Sequence, residues 1–181
     1  MKNNFLVYLY GTIIILEGVF LLFSKHFTFN TTKYTLGIAL IIGAMLALVT
    51  AFTRQRKQVQ FAYHEMHAIA MLVYGISVLL FADTIEILSY LTAFSFFFYT
   101  FSEILFCNWL FNLGNIVKFK ILFIRVFLGL IVGIGAIVLM QYYTLDKTIV
   151  MESYGILFAV IGLNLLLYQP VIKTSELNEA E

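Results

Sequence analysis

The stretch Phe5-Leu-Val-Tyr-Leu-Tyr-Gly-Thr-Ile-Ile-Ile-Leu-Glu-Gly-Val-Phe-Leu-Leu-Phe23 carries a single charged side chain, Glu17. A helix crosses a hydrocarbon core of about 30 Å with about 20 apolar residues. A secretory signal would end its apolar run after roughly 7–15 residues, at small residues suited to cleavage. This run is longer and has no such site, so it reads as a retained first transmembrane helix. Runs such as Ile13-Ile14-Ile15-Leu16 do not alternate in polarity as a barrel strand does. An open sheet is excluded, because lipid cannot satisfy unpaired backbone groups.

The same pattern recurs along the chain. Five more segments qualify or nearly qualify as spans: Tyr34–Phe52, His67–Phe81, Ile87–Phe111, Ile121–Met140 and Met151–Tyr168. The expected fold is all-α, a polytopic membrane protein with six transmembrane helices arranged as three repeated helical hairpins. One transmembrane domain is expected over residues 1–173. A polar, acidic tail without fixed structure is expected over 174–181.

Composition agrees. Of 181 residues, 62% are hydrophobic and 12% charged, and the mean hydropathy is +0.96. A soluble domain has roughly 45–50% apolar and about 25% charged residues. A soluble globular enzyme, a disordered segment and a nucleic-acid binder are excluded on these grounds. The expected surroundings are the lipid bilayer. A net charge of +1 sets aside no charged surface for an acidic partner. Cys107 is the only cysteine, which rules out an intramolecular disulfide and a cysteine-based metal site. No nucleophile triad, P-loop, dinucleotide fingerprint or pair of catalytic carboxylates is present, and short loops leave no room for an extramembrane catalytic domain. No enzyme activity, cofactor or metal is therefore expected.

Basic residues orient the spans. With six crossings, Lys2, Arg54, Arg56, Lys57, Lys118, Lys120, Arg125 and Lys173 fall on one side, and Lys25, Lys33 and Lys147 on the other. By the positive-inside rule both termini belong in the cytoplasm. Trp109 at the inner end of span four, and Tyr142 and Tyr143 after span five, suit the headgroup level. Gly114 suits a helix C-cap, and Pro170, the only proline, suits a stop after span six.

An internal repeat accompanies the spans. Gly18, Gly75 and Gly135 each precede an apolar run in spans one, three and five. Gly43, Ser102 and Gly162 hold matching places in spans two, four and six. Helices in lipid associate by close packing at small residues. The expected packing positions are Gly11, Gly18, Gly43, Gly75, Gly129, Gly133, Gly135, Gly155 and Gly162, within the monomer and not on a dimer face.

Two stretches, Leu36-Gly37-Ile-Ala-Leu-Ile-Ile-Gly43 before a basic loop and Ser102-Glu-Ile-Leu-Phe-Cys-Asn-Trp109 before a basic turn and a glycine-rich span, resemble the HdeD-like family. The resemblance runs roughly from Tyr10 to Tyr168. It implies a small bacterial inner-membrane protein with six spans. It also implies a role in acid or envelope stress tolerance, since the family's founder is associated with acid resistance.

Ionisable groups inside spans are functional candidates by default. Glu17 lies about 18 Å into span one at 1.5 Å per residue, with no basic residue at its depth. It is expected to be protonated and to donate to a backbone carbonyl, to Tyr99 or to Ser77. Glu103, Arg125 and Asn164 fall at similar depths toward the inner side. A short turn joins spans four and five, so a Glu103–Arg125 ion pair is expected, with Asn164 close by. It would act as a clamp or as a gate, or else the two side chains snorkel to the inner surface. The cluster His64-Glu65-Met66-His67 is one residue short of H-E-x-x-H and reads as an interfacial belt.

Three functional readings follow. The first is a non-enzymatic inner-membrane protein of HdeD-like type. The second is a small channel or transporter with a proton-linked intramembrane carboxylate, whose ion or small-molecule substrate the residues do not name. The third is a membrane subunit of a larger complex, which would pair with a partner protein or form a homo-oligomer.

Overall fold

The computed structural model describes residues 4–53, 63–112, 118–142 and 147–168, and these form six long helices and one 3-10 turn. The helices are α1 (Asn4–Leu22), α2 (Phe29–Thr53), α3 (Tyr63–Phe81), α4 (Ile85–Asn112), α5 (Phe119–Tyr142) and α6 (Lys147–Leu166). The 3-10 turn, Ser24–His26, joins α1 to α2. All six helices are long and apolar enough to cross a membrane. The chain is an all-α, multi-pass membrane protein.

The helices form where the sequence places them; most ends overrun the apolar cores, while α1 stops one residue before Phe23 and α6 two before Tyr168. α2 begins at Phe29, not Tyr34, because Thr28 caps it: the Thr31 backbone N–H donates to Thr28 Oγ1 at 3.2 Å. Thr84 caps α4 in the same way through the Ile87 N–H. α3 starts at Tyr63, four residues before the expected His67, and takes both histidines into the helix.

The six helices close into a ring. Each packs on its neighbours in sequence, and α6 returns to α1. The most extensive seams are α1–α6, α2–α3 and α4–α5, which run between the expected hairpins and not within them. Glycine explains this. A Cβ on Gly18 would stand 2.6 Å from the carbonyl oxygen of Gly155, and one on Gly162 would stand 2.8 Å from that of Gly11. These contacts are backbone to backbone, the closest approach that two helices can make. Gly37 and Gly75 pair likewise between α2 and α3. On α5, Gly133 abuts Thr100 and Gly129 abuts the Glu103 side chain, both on α4.

One detail of the repeat changes. Gly18 and Gly75 both pack on a helix of the adjoining hairpin, and Gly133 holds that place in the third hairpin. Gly135 turns instead toward Leu157 of α6. Gly43 has ordinary room, its nearest neighbours being Met71 Sδ at 3.6 Å and Ile14 Cδ1 at 3.7 Å. Alanine is a better helix former than glycine by up to about 1 kcal/mol. Gly43→Ala is therefore expected to be neutral or stabilising by up to that amount, read from thermal unfolding in detergent.

The outward faces carry Phe94, Phe101, Phe123, Phe127 and other large apolar side chains, as lipid contact requires. At the end where α1 and α2 join, the far end, Lys33 pairs with Asp83 at 3.4 Å and Lys25 with Glu152 at 3.7 Å. At the other, near end, Lys118 and Lys120 are exposed. The expectations for Lys2, Arg54, Arg56, Lys57, Gly114, Tyr143, Pro170, Lys173, the Tyr142 and Lys147 side chains and the tail 174–181 lie outside the described residues.

Candidate functional site

The near half of the bundle holds a buried polar cluster drawn from five helices. Its centre is Glu103 of α4 and Arg125 of α5, both 0% exposed. Arg125 Nε donates to Glu103 Oε1 at 2.8 Å, and Nη2 donates to Oε2 at 2.9 Å. This forked, charge-assisted pairing is the strongest that a guanidinium makes. The pair forms because Gly129, one turn after Arg125, leaves room for the Glu103 side chain: a Cβ there would stand 3.2 Å from Glu103 Cγ.

The surrounding groups satisfy most of what the pair leaves open. The Tyr63 hydroxyl donates to Glu103 Oε2 at 2.7 Å and accepts from Arg125 Nη2 at 2.6 Å, so α3 is tied to both charges. Cys107 Sγ donates to Glu103 Oε1 at 3.3 Å. Asn164 of α6 donates from Nδ2 to the Tyr99 hydroxyl at 2.7 Å and to the Arg125 carbonyl at 3.3 Å. The rings of Phe106, Tyr63 and Tyr168 stand 5.1, 5.4 and 5.9 Å from the guanidinium carbon, within cation–π range. Tyr10 of α1 joins through a 2.9 Å hydrogen bond with His64 Nδ1.

Burying two charges costs several kcal/mol per ion even after relaxation, and only close geometry with further hydrogen bonds offsets that. The cluster supplies both. Chemically it is a lock: the contacts among Glu103, Arg125, Tyr63 and Asn164 join one helix to another, and both charges are closed off from solvent.

Sequence reasoning places Glu103, Arg125 and Asn164 at one level, and the structure brings them together. It does not anticipate Tyr63, His64 or His67 in the interior. Both histidines are buried, which corrects the belt reading. The available signal was the helical spacing of Tyr63 and His67, which puts them on one face of α3, next to α4. His67 Nδ1 lies 3.0 Å from the Tyr63 carbonyl. Among the described residues no three His, Cys, Asp or Glu side chains converge as a metal site would need.

Glu17 stands apart, on α1 beside the Gly18–Gly155 contact. It is 4% exposed, and its Oε1 has no hydrogen-bond partner among the described residues. The expected partner Tyr99 is engaged by Asn164 instead. A partly open cavity of about 40 Å³ lies between Ile14 of α1, Leu40 of α2, His67 and Met71 of α3, Tyr99 and the exposed Phe98 of α4 and Phe158 of α6. Glu17 does not line it.

Residues 9–80, from α1 to the end of α3, match the model of a family described as a short repeat of unknown function (DUF308). No curated protein and no solved structure matches the chain.

Proposed function

We propose that this chain is a non-enzymatic protein of the bacterial inner membrane, of HdeD-like type, with both termini in the cytoplasm. The matched repeat family includes HdeD-like proteins. The role proposed is tolerance of acid or envelope stress, on the strength of the resemblance. The observation that carries the non-transport part of this reading is the close packing of the interior. Glycine contacts seal the α1–α6 and α2–α3 seams. The Glu103–Arg125 pair is fully enclosed, and the cavity is small and mostly apolar in its lining. A transporter site is usually built from broken helices that expose polar backbone to a cavity. The six helices are unbroken over their described lengths.

The buried carboxyl of Glu17, whose Oε1 has no partner among the described residues, favours a second reading, a proton-linked channel or transporter. Protein in liposomes with a trapped pH-sensitive dye separates the two. After an external acid step, wild type and Glu17→Gln are both expected to acidify at the rate of empty liposomes. Flux through wild type that disappears in Glu17→Gln would replace the first reading with the second.

A further inference from the structure

The side chain of His67 is tied down at one nitrogen only. Its Nδ1 faces the carbonyl oxygen of Tyr63 at 3.0 Å. A carbonyl only accepts, so Nδ1 carries the proton and Nε2 is left as a bare acceptor. The two ring nitrogens of an imidazole point in widely different directions, so Nε2 is turned away from that carbonyl. His67 is 5% exposed, and Nε2 has no partner among the described residues. Buried acceptors are rarely left in that state; they find a protein donor or an ordered water.

No donor is at hand among the described residues, but a space is. His67 lines the cavity of about 40 Å³, together with the hydroxyl-bearing residues Ser95, Tyr99 and Ser102 of α4. A water needs roughly 10–15 Å³ on the same measure, and between two and four polar partners. The cavity has room for about three. Ser102 donates its proton to the Tyr99 carbonyl at 2.8 Å, which leaves its oxygen able to accept. The Tyr99 hydroxyl oxygen already takes a hydrogen bond from Asn164 at 2.7 Å. A guest here must be small, neutral and able to donate at least one hydrogen bond to a bare imidazole nitrogen.

We propose that this cavity is an internal water site, with His67 Nε2 as the acceptor that anchors it and Ser95, Tyr99 and Ser102 of α4 among the residues that line it. The bound water joins α3 to α4 beside the Tyr99–Asn164 contact, so it extends the polar cluster toward the middle of the bundle. Bridging waters of this kind hold almost as well as direct hydrogen bonds. The site stands apart from the stress-linked reading, since a closely packed bundle holds such a water without conducting protons.

The test is solid-state NMR on protein labelled with ¹⁵N-histidine in phosphatidylcholine–phosphatidylglycerol vesicles. The His67 signals are assigned as those lost in His67→Phe. Magnetisation started on water is expected to reach His67 Nε2 in wild type. It is expected to fall to baseline in Ala70→Leu, which fills the cavity from α3 and keeps the imidazole. Ser95→Val is the alternative filler if Ala70→Leu does not fold. A wild-type His67 that receives nothing from water overturns the proposal, because the cavity is then dry. Transfer that survives the filling variant also overturns it, because the water then reaches His67 from elsewhere. Neither result touches the liposome experiment, whose readout is flux.

Discussion

Replacing Arg125 with methionine is expected to lower the stability of the folded bundle by about 3–5 kcal/mol, the usual cost of leaving one buried charge without its partner. Glu103 would keep its hydrogen bonds from Tyr63 and Cys107, yet its negative charge would face an interior with no countercharge at 0% exposure. The double variant Glu103→Leu with Arg125→Met is expected to fall within about 2 kcal/mol of wild type, since well-packed apolar replacements of buried pairs are often neutral. Unfolding in mixed dodecylmaltoside and sodium dodecyl sulfate, followed by circular dichroism, gives both values. A single variant as stable as wild type would mean that the pair contributes no more than a surface contact. A double variant worse than either single one would mean that the charges hold the helices in a way that packing cannot replace.

The second large effect is expected at the α1–α6 seam. Gly18→Val puts a branched Cβ where backbone atoms already stand, the Gly155 carbonyl oxygen at 2.6 Å and the Ala159 nitrogen at 2.7 Å. Side chains can rotate away from an intruding methyl, but backbone within a helix cannot. Overpacking costs typically about 1–3 kcal/mol, and Gly18→Val belongs at or above the top of that range. α1 would have to withdraw from α6 along its length, because Gly11 and Gly162 meet on the same seam. The same unfolding measurement checks this, with Gly43→Ala as the internal control at a glycine that has room. Equal responses at Gly18 and Gly43 would show that the seam yields more readily than its geometry implies.

The two effects differ in kind. The seam is a matter of shape, where small residues let backbones touch. The polar cluster is a matter of charge in a medium that cannot solvate it. Together they tie all six helices: glycine closes the ring at α1–α6 and α2–α3, and Glu103–Arg125 with Gly129 and Gly133 closes it at α4–α5.

Six helical spans were legible in the sequence because lipid permits few alternatives. Apolar length, the demand for internal backbone hydrogen bonding and the scarcity of charge are local properties, and a window of residues carries them. The level shared by Glu103, Arg125 and Asn164 was legible for the same reason, since depth follows from counting residues along a span at fixed rise. Helix ends were less legible. The caps from Thr28 and Thr84 extend α2 and α4 into polar sequence that hydropathy alone assigns to loops.

What only the tertiary structure decided is rotation and partnership. A span that is apolar all round gives no sign of which face meets protein and which meets lipid, because Leu and Phe serve either environment. The pairing of glycines between hairpins, the role of Gly133 in the place expected for Gly135, and the burial of Tyr63, His64 and His67 all depend on that rotation. So does the isolation of Glu17 from Tyr99. The sequence by itself determined an all-helical, six-span protein with three candidate polar residues at one depth. The tertiary structure decided that they form one enclosed lock, because only the turning of each helix about its own axis settles which side chains share the buried interior.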